Sequence, residues 1–95
     1  MSEEKWVLYI LECKDNTLYT GITNDLPKRL AAHRAGTGAK YTRGRGPFIL
    51  RYSEVCEDRA HASRREWEVK QLTKAEKMRL CSTASDKGEH KWSIF

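Results

Sequence analysis

The stretch from Tyr19 to His33 constrains the fold of this chain more than any other, because it joins a strand, a short turn and a helix. The alternation of apolar and polar residues from Leu18 to Ile22 is typical of a half-buried strand. Asn24 or Asp25 is placed to cap a following helix, and Pro27 falls in its first turn, where a missing N–H costs nothing. The chain is therefore predicted to pass directly from a sheet into a helix.

The predicted helix carries a cation and an imidazole on one face. Arg29 and His33 are four residues apart, so their side chains project from the same side. Leu26 and Leu30 cover the neighbouring stripe and are expected to hold the helix against the core. Because Tyr19 lies in the strand that leads into this helix, the three polar side chains together predict a site that handles phosphate.

The rest of the chain supplies two more strands and two more helices. The apolar run from Trp6 to Cys13 predicts a central strand buried on both faces, and Thr17 to Ile22 predicts its antiparallel hairpin partner. The fold class is therefore α+β, a small, mostly antiparallel three-stranded sheet flanked by helices in the order β-β-α-β-α-α. The remaining expected elements are a first helix to about Arg34, a strand Phe48–Cys56, a helix capped by Asp58 that runs to about Leu72, and a short helix that starts at Thr73 and ends near Cys81.

A chain of 95 residues is expected to form one domain, here residues 1–81, followed by a flexible tail at 82–95. No apolar run approaches the length of a membrane span, and the acidic start Met1–Lys5 is unlike a secretory signal. The three cysteines form no CxxC pair and no zinc pattern. They are expected to be reduced thiols that pack in the core of a cytoplasmic protein.

Positive charge is confined to one part of the chain. Between Leu26 and Ser53 there are seven basic residues and no acidic one, whereas the whole chain has a net charge of +5. The loop from Ala39 to Pro47 within this segment is long for so small a domain, which favours a functional role. A confined basic field indicates a polyanionic partner, of which nucleic acid is the first candidate. The alternative is a solvated basic face that serves solubility.

Several side chains have both a structural and a chemical interpretation. Glu66 lies beside the apolar flank of the second helix, which is marked by Ala62, Val69 and the Trp67 side. Its partner is either Lys70 in a surface ion pair or a divalent metal ion. The structural alternatives are aromatic packing for Tyr9 and Tyr19, a solvated or ion-paired cation for Arg29, and an ordinary surface histidine for His33.

Taken together, these residues resemble the GIY-YIG nuclease domain, and the resemblance covers roughly Trp6 to Leu80. The first motif reads Val7-Leu8-Tyr9 in place of Gly-Ile-Tyr, and the second reads Tyr19-Thr20-Gly21, so both tyrosines and the glycine are kept. The chain looks most like the small stand-alone bacterial members, the YhbQ-like proteins. The segment from Gly38 to Pro47 also resembles a loop in the nuclease subunit of a eukaryotic structure-selective endonuclease.

The resemblance implies a phosphodiesterase that uses one Mg²⁺ or Mn²⁺ ion. Glu66 would hold the metal, and Arg29 would stabilise charge on the scissile phosphate. Tyr9 would be the general base toward water, which requires nearby cations that favour its phenolate. Tyr19 and His33 would orient water and phosphate.

The resemblance also implies how the chain would meet DNA. Gly21 would allow close approach of the backbone beside the site. Lys40, Arg43 and Arg45 would follow the DNA backbone in a salt-dependent way. The first hypothesis is therefore a metal-dependent endonuclease acting on DNA, with branched or damaged DNA, a role in repair or recombination and a targeting protein as further expectations. The alternatives are a non-catalytic nucleic-acid-binding module of the same fold and an adaptor for an acidic protein.

Overall fold

Three strands and three helices follow one another in the predicted order β-β-α-β-α-α. The computed structural model of the protein describes residues 5–36, 44 and 46–86, of which 83–86 are described by their backbone only. The elements are β1 (Trp6–Glu12), β2 (Leu18–Thr23), α1 (Leu26–Ala35), β3 (Ile49–Cys56), α2 (Arg59–Lys70) and α3 (Lys74–Asp86). The predicted α+β class is confirmed.

Strand β1 lies at the centre of an antiparallel sheet with the order β2-β1-β3. Its apolar run explains this position, because the side chains from Leu8 to Leu11 are buried on both faces of the sheet. The turn between β1 and β2 closes with a 2.8 Å hydrogen bond from the Cys13 N–H to the Thr17 carbonyl. The predicted hairpin and the predicted central strand are both confirmed.

The two faces of the sheet carry separate cores, because neighbouring residues of a strand point to opposite sides. Leu8 and Ile10 pack with Ala62 and Val69 of α2 and with Cys81 of α3. Tyr9 and Leu11 pack on the other face, where the partners from α1 are Leu26 and Leu30, as predicted. Helix α1 and helix α2 therefore cover opposite faces of the sheet.

Local side-chain contacts explain where α2 and α3 begin. The Asp58 carboxylate accepts a hydrogen bond from the His61 N–H at 2.8 Å. At the start of α3, the Thr73 N–H donates to Glu76 at 2.9 Å and the Glu76 N–H donates to the Thr73 hydroxyl at 3.2 Å. This reciprocal pair is the predicted capping box.

Three expectations about the second half of the chain were wrong. Helix α2 ends at Lys70 instead of Leu72, and α3 continues to Asp86 instead of ending at Cys81. Trp67 does not belong to the apolar flank, since it is 65% exposed. Residues 87–95 lie outside the described part, so the domain boundary and the flexible tail stay predictions.

The state of the three cysteines agrees with the sequence. Cys13, Cys56 and Cys81 are all free and buried, as expected for thiols that pack in the core. Within the described residues, no helix is both long and apolar enough to cross a membrane.

Candidate active site

Helix α1 is held at both ends, and this sets the direction of Arg29 and His33. The Asp25 carboxylate caps the helix by accepting a hydrogen bond from the Lys28 N–H at 3.2 Å. Gly36 ends the helix in the left-handed region, with φ of 83°, a conformation that glycine adopts without strain. Arg29 and His33 therefore project together onto the sheet face that carries Tyr9.

Tyr9, Arg29 and His33 form one hydrogen-bonded cluster. The Tyr9 hydroxyl lies 2.8 Å from His33 Nε2, and Arg29 Nε donates to the same hydroxyl at 3.4 Å. A guanidinium can only donate, so the phenol oxygen accepts from Arg29 and its own proton is free to point at the imidazole. The arrangement ties the cation of α1 and the imidazole of α1 to a single oxygen of β1.

Aromatic rings surround His33. The ring centroids of Tyr19 and Tyr9 lie 5.4 and 5.8 Å from that of His33, and the Phe48 ring lies 6.0 Å away, all three at steep angles to the imidazole. His33 is fully buried as a result, so the interpretation as an ordinary surface histidine is wrong. Phe48 was not predicted to lie here; its sequence signal is only that of an apolar residue at the start of a strand.

Gly21 is required by the close approach of the two tyrosines. It is the cross-strand partner of Tyr9. A Cβ atom at Gly21 would lie 2.7 Å from the Tyr9 hydroxyl oxygen, 2.8 Å from Tyr9 Cζ and 3.0 Å from Tyr19 Cε2. The absence of a side chain is thus what allows the Tyr9 hydroxyl to occupy its position between the strands.

The buried imidazole is neutral at pH 7. Burial, and secondarily the positive charge of Arg29, lower the pKa of His33 from 6.5 to about 4. The pKa of Arg29 is raised, chiefly by its hydrogen bond to Tyr9. Arg29 therefore supplies the permanent positive charge of the cluster, and His33 supplies a proton acceptor.

The environment of Tyr9 works against a phenolate. Burial raises the pKa of Tyr9 to about 12, although the hydrogen bond and the charge of Arg29 act in the opposite direction. The side chain is also fully buried, so its hydroxyl has no contact with solvent. Tyr19 is only half-buried and is the phenol of the pair that is open to solvent. A general base at Tyr9 requires nearby cations that stabilise the phenolate. Arg29 alone does not do this, because burial outweighs its effect on the pKa of Tyr9.

Glu66 belongs to α2, which covers the face of the sheet opposite to α1. The preceding residue, Arg65, fixes the rotation of α2 by donating to the Glu54 carboxylate of β3 at 2.8 Å. Glu66 lies about 100° further round the helix. Its carboxylate is partly buried and pairs with Lys70 Nζ at 3.2 Å, as one of the two sequence interpretations predicted.

The charge of Glu66 nevertheless reaches the cluster, because it contributes to raising the pKa of Tyr9. The Lys70 ammonium already neutralises the Glu66 carboxylate, which is the task that a bound metal ion would otherwise perform. No group of three or more His, Cys, Asp or Glu side chains is positioned for a metal among the described residues. One carboxylate fits Mg²⁺ or Mn²⁺, since Mg²⁺ keeps several waters and is commonly held by one carboxylate and substrate phosphate.

The structure thus brings together five of the residues selected from the sequence and leaves one at a distance. Direct packing or hydrogen bonds join Tyr9, Tyr19, Gly21, Arg29 and His33. Glu66 joins them through its charge only. The predicted DNA-binding residues Lys40, Arg43 and Arg45 lie outside the described part of the chain, and their role stays a prediction.

The fold and the cluster define a small α+β domain with two tyrosines, an arginine and a histidine gathered on one face of an antiparallel sheet. The chain belongs to the GIY-YIG family, since the model of the GIY-YIG catalytic domain matches residues 5–79. This confirms the resemblance and assigns the protein to a superfamily of nucleases.

Relatives of similar length support this assignment. A UPF0213 protein of Clostridium perfringens is 53% identical over 83 residues, which span 87% of this chain and 89% of that protein. A UPF0213 protein of Halobacterium salinarum is 51% identical over 73 residues, spanning 77% and 95%. The solution NMR structure of a UPF0213 protein from Bacillus halodurans is 47% identical, with a TM-score of 0.55 over 83% of this chain and 84% of that one. An E. faecalis protein, also solved by NMR, is 35% identical, with a TM-score of 0.62 over 95% and 94%.

Proposed function

We propose that this protein is a metal-dependent endonuclease that hydrolyses phosphodiester bonds in DNA. The observation that carries the proposal is the Arg29 guanidinium, held by a buried phenol next to a neutral, buried imidazole. A cation fixed in this way is preorganised for a charge that develops on a phosphate, and such preorganisation is a large source of catalysis.

Arg29 binds the scissile phosphate in this proposal. Its Nε is engaged by Tyr9, while the side chain remains partly exposed on the α1 side. A guanidinium has five N–H donors in a rigid fork, so donors remain for two phosphate oxygens. The hydrogen bond to Tyr9 keeps the fork from rotating away.

The two tyrosines have different tasks. Tyr9 is buried and neutral, so it acts as a positioning residue that orients Arg29 and His33 and does not itself touch water. Tyr19 is open to solvent and lies against both Tyr9 and His33, and we assign it to the orientation of the attacking water. His33 holds this arrangement in place, because its Nε2 lies 2.8 Å from the Tyr9 hydroxyl and can accept its hydrogen bond while Arg29 donates to the same oxygen.

Glu66 would hold the divalent ion. When bound, Mg²⁺ or Mn²⁺ polarises the phosphate and favours departure of the leaving oxygen. For the chain itself, this requires the Glu66 carboxylate to exchange the Lys70 ammonium for the ion. An i, i+4 ion pair between partly exposed side chains is worth only about 0.3–0.5 kcal/mol, so this exchange costs little.

A non-catalytic DNA-binding module is the second candidate. The observation that favours it is the sealed Tyr9 hydroxyl, which cannot contact a water molecule without movement of the surrounding side chains. Such a protein would keep the basic segment and the Arg29 phosphate contact while turning over no substrate.

Cleavage assays separate the two candidates. Plasmid, single-stranded, flap and four-way-junction DNA are incubated with the wild-type protein, with Mg²⁺ or Mn²⁺ and with chelator. We expect metal-dependent nicking that Glu66→Ala and Arg29→Ala reduce by at least about 100-fold, the scale on which loss of one preorganised donor is felt. The preferred DNA form also tests the expected selectivity for branched DNA.

Binding is measured in parallel with the same variants. Both should still bind DNA, because each removes only one contact. Glu68→Ala is a matched control, since Glu68 is an exposed carboxylate of the same helix. Equal cleavage by wild type, Glu66→Ala and Arg29→Ala would identify a contaminant, and binding without cleavage under every condition would establish the second candidate.

A further inference from the structure

A cleft of about 280 Å³ opens at the edge of the sheet next to the candidate active site. It lies between β2 and the helices α2 and α3. The residues that line it are Leu18, Tyr19, Thr20, Lys70 and Lys77. Tyr19 lines this cleft and also packs against Tyr9 and His33, so the cleft adjoins the candidate active site around the edge strand β2.

The charge of the cleft is positive. Lys77 is half-buried and makes no ion pair with any of the described residues. Lys70 is exposed and pairs with Glu66, the carboxylate that faces it from the same helix. Because the ion pair between Lys70 and Glu66 is weak, both ammonium groups are available to an anion that enters the cleft.

A second polar group lines the cleft without a partner. Thr20 is 3% exposed, and its hydroxyl makes no hydrogen bond within the described part of the chain. A buried hydroxyl without a partner costs free energy, so its presence calls for an explanation. The two ammonium groups are suitable donors for the oxygens of a phosphate, whereas the Thr20 hydroxyl reaches such an oxygen only when its side chain turns toward the cleft.

We propose that this cleft binds a backbone phosphate of the nucleic acid strand, next to the phosphate that Arg29 contacts. The inference rests on the proposed function for the position of the scissile phosphate. Lys70 and Lys77 neutralise the flanking phosphate, and Tyr19 separates the two phosphate positions. Leu18 covers the apolar side of the cleft, where it contacts the sugar. The strand then runs along the edge of β2.

Lys70 has two partners in this scheme. In the free protein it neutralises Glu66, and in the complex it turns toward the flanking phosphate. The weak i, i+4 pair permits this change at little cost. Metal binding and DNA binding are thereby expected to favour each other, since both break the Lys70–Glu66 ion pair: the metal ion takes Glu66, and the phosphate takes Lys70.

The test measures DNA binding in the presence of chelator, so that no cleavage interferes. Lys70→Gln and Lys77→Gln should each reduce the slope of log affinity against log salt by about 1. Between 50 and 200 mM salt, the change in dissociation constant should therefore shrink by about 3- to 4-fold for each variant. Lys70→Arg and Lys77→Arg keep the charge and should keep the slope, which excludes a folding defect as the cause.

Arg64→Gln is the matched control, because Arg64 is an exposed cation of α2 that does not line the cleft. A scan in which single phosphates are replaced by neutral methylphosphonate then locates the contact. One flanking position should weaken binding of the wild type and leave binding of the Lys70→Gln/Lys77→Gln protein unchanged. Equal slopes for the lysine variants and the wild type, or an equal loss for Arg64→Gln, would overturn the proposed cleft.

The outcomes also separate this inference from the proposed function. If the wild type cleaves DNA and the lysine variants bind with unchanged slopes, the function stands and the cleft is refuted. The opposite result is a smaller salt slope for the lysine variants, with the lost contact mapped to one phosphate position, while no DNA is ever cleaved. The cleft then stands as a binding site and the nuclease proposal is refuted.

Discussion

Acidification is expected to destabilise this protein through His33. The imidazole is buried, and burial together with Arg29 lowers its pKa from 6.5 to about 4. Between these two values the unfolded chain binds a proton that the folded protein does not. The free energy of unfolding therefore rises with pH across this window and falls as the pH is lowered through it.

The size of the effect follows from the two pKa values. With 6.5 in the unfolded chain and about 4 in the folded protein, the loss relative to pH 7 is about 2 kcal/mol at pH 5 and about 3 kcal/mol at pH 4. A domain of this size has a free energy of unfolding of only about 5–10 kcal/mol. His33 alone should therefore remove a large part of it.

Urea unfolding at pH 7, 6, 5 and 4 measures the effect, with His33→Gln as the reference protein. Glutamine keeps a hydrogen-bond partner for Tyr9 but does not titrate. All other ionisable groups are common to the two proteins, so their contributions cancel in the difference between wild type and variant. The difference should change by about 2 kcal/mol between pH 7 and pH 5, with the wild type losing more. Parallel pH curves for the two proteins would refute the buried, neutral state of His33.

Two further predictions concern packing. Gly21→Ala should destabilise the protein by about 1–3 kcal/mol, because the added Cβ meets a Tyr9 ring that the hydrogen bonds to His33 and Arg29 hold in place; a change below about 0.5 kcal/mol in urea unfolding would contradict this. The three cysteines should resist a thiol reagent at pH 7 and react only on unfolding, since all are buried and burial raises the pKa of Cys56 and Cys81; rapid labelling of the native protein would show that one is accessible.

Local signals in the sequence were sufficient for the elements. The alternation in β2, the apolar run of β1 and the capping residues Asp58 and Thr73 act over a few neighbouring positions, so they specified strand order and helix starts correctly. Helix ends were less well determined. The end of α3 was placed at Cys81 because its polar continuation to Asp86 has no apolar periodicity to reveal it.

The chemical state of the site depended on contacts that sequence spacing does not encode. The four-residue spacing of Arg29 and His33 showed that they share a helix face. It did not show that the rings of Tyr9, Tyr19 and Phe48 surround the imidazole, or that burial keeps it neutral. Tyr9 was chosen as a base from its motif, and only its burial raised its pKa and removed it from water.

The sequence by itself determined the family, the element order and the set of polar residues, because these follow from residue type and short-range periodicity. The tertiary structure decided which of those residues are charged, which reach solvent and which touch. Glu66 shows the difference most clearly: its pair with Lys70 was readable from the four-residue spacing in α2, but only the packing of α2 against the sheet brings its charge near Tyr9. Desolvation and charge proximity are properties of that packing, and they arise only when distant segments of the chain come together.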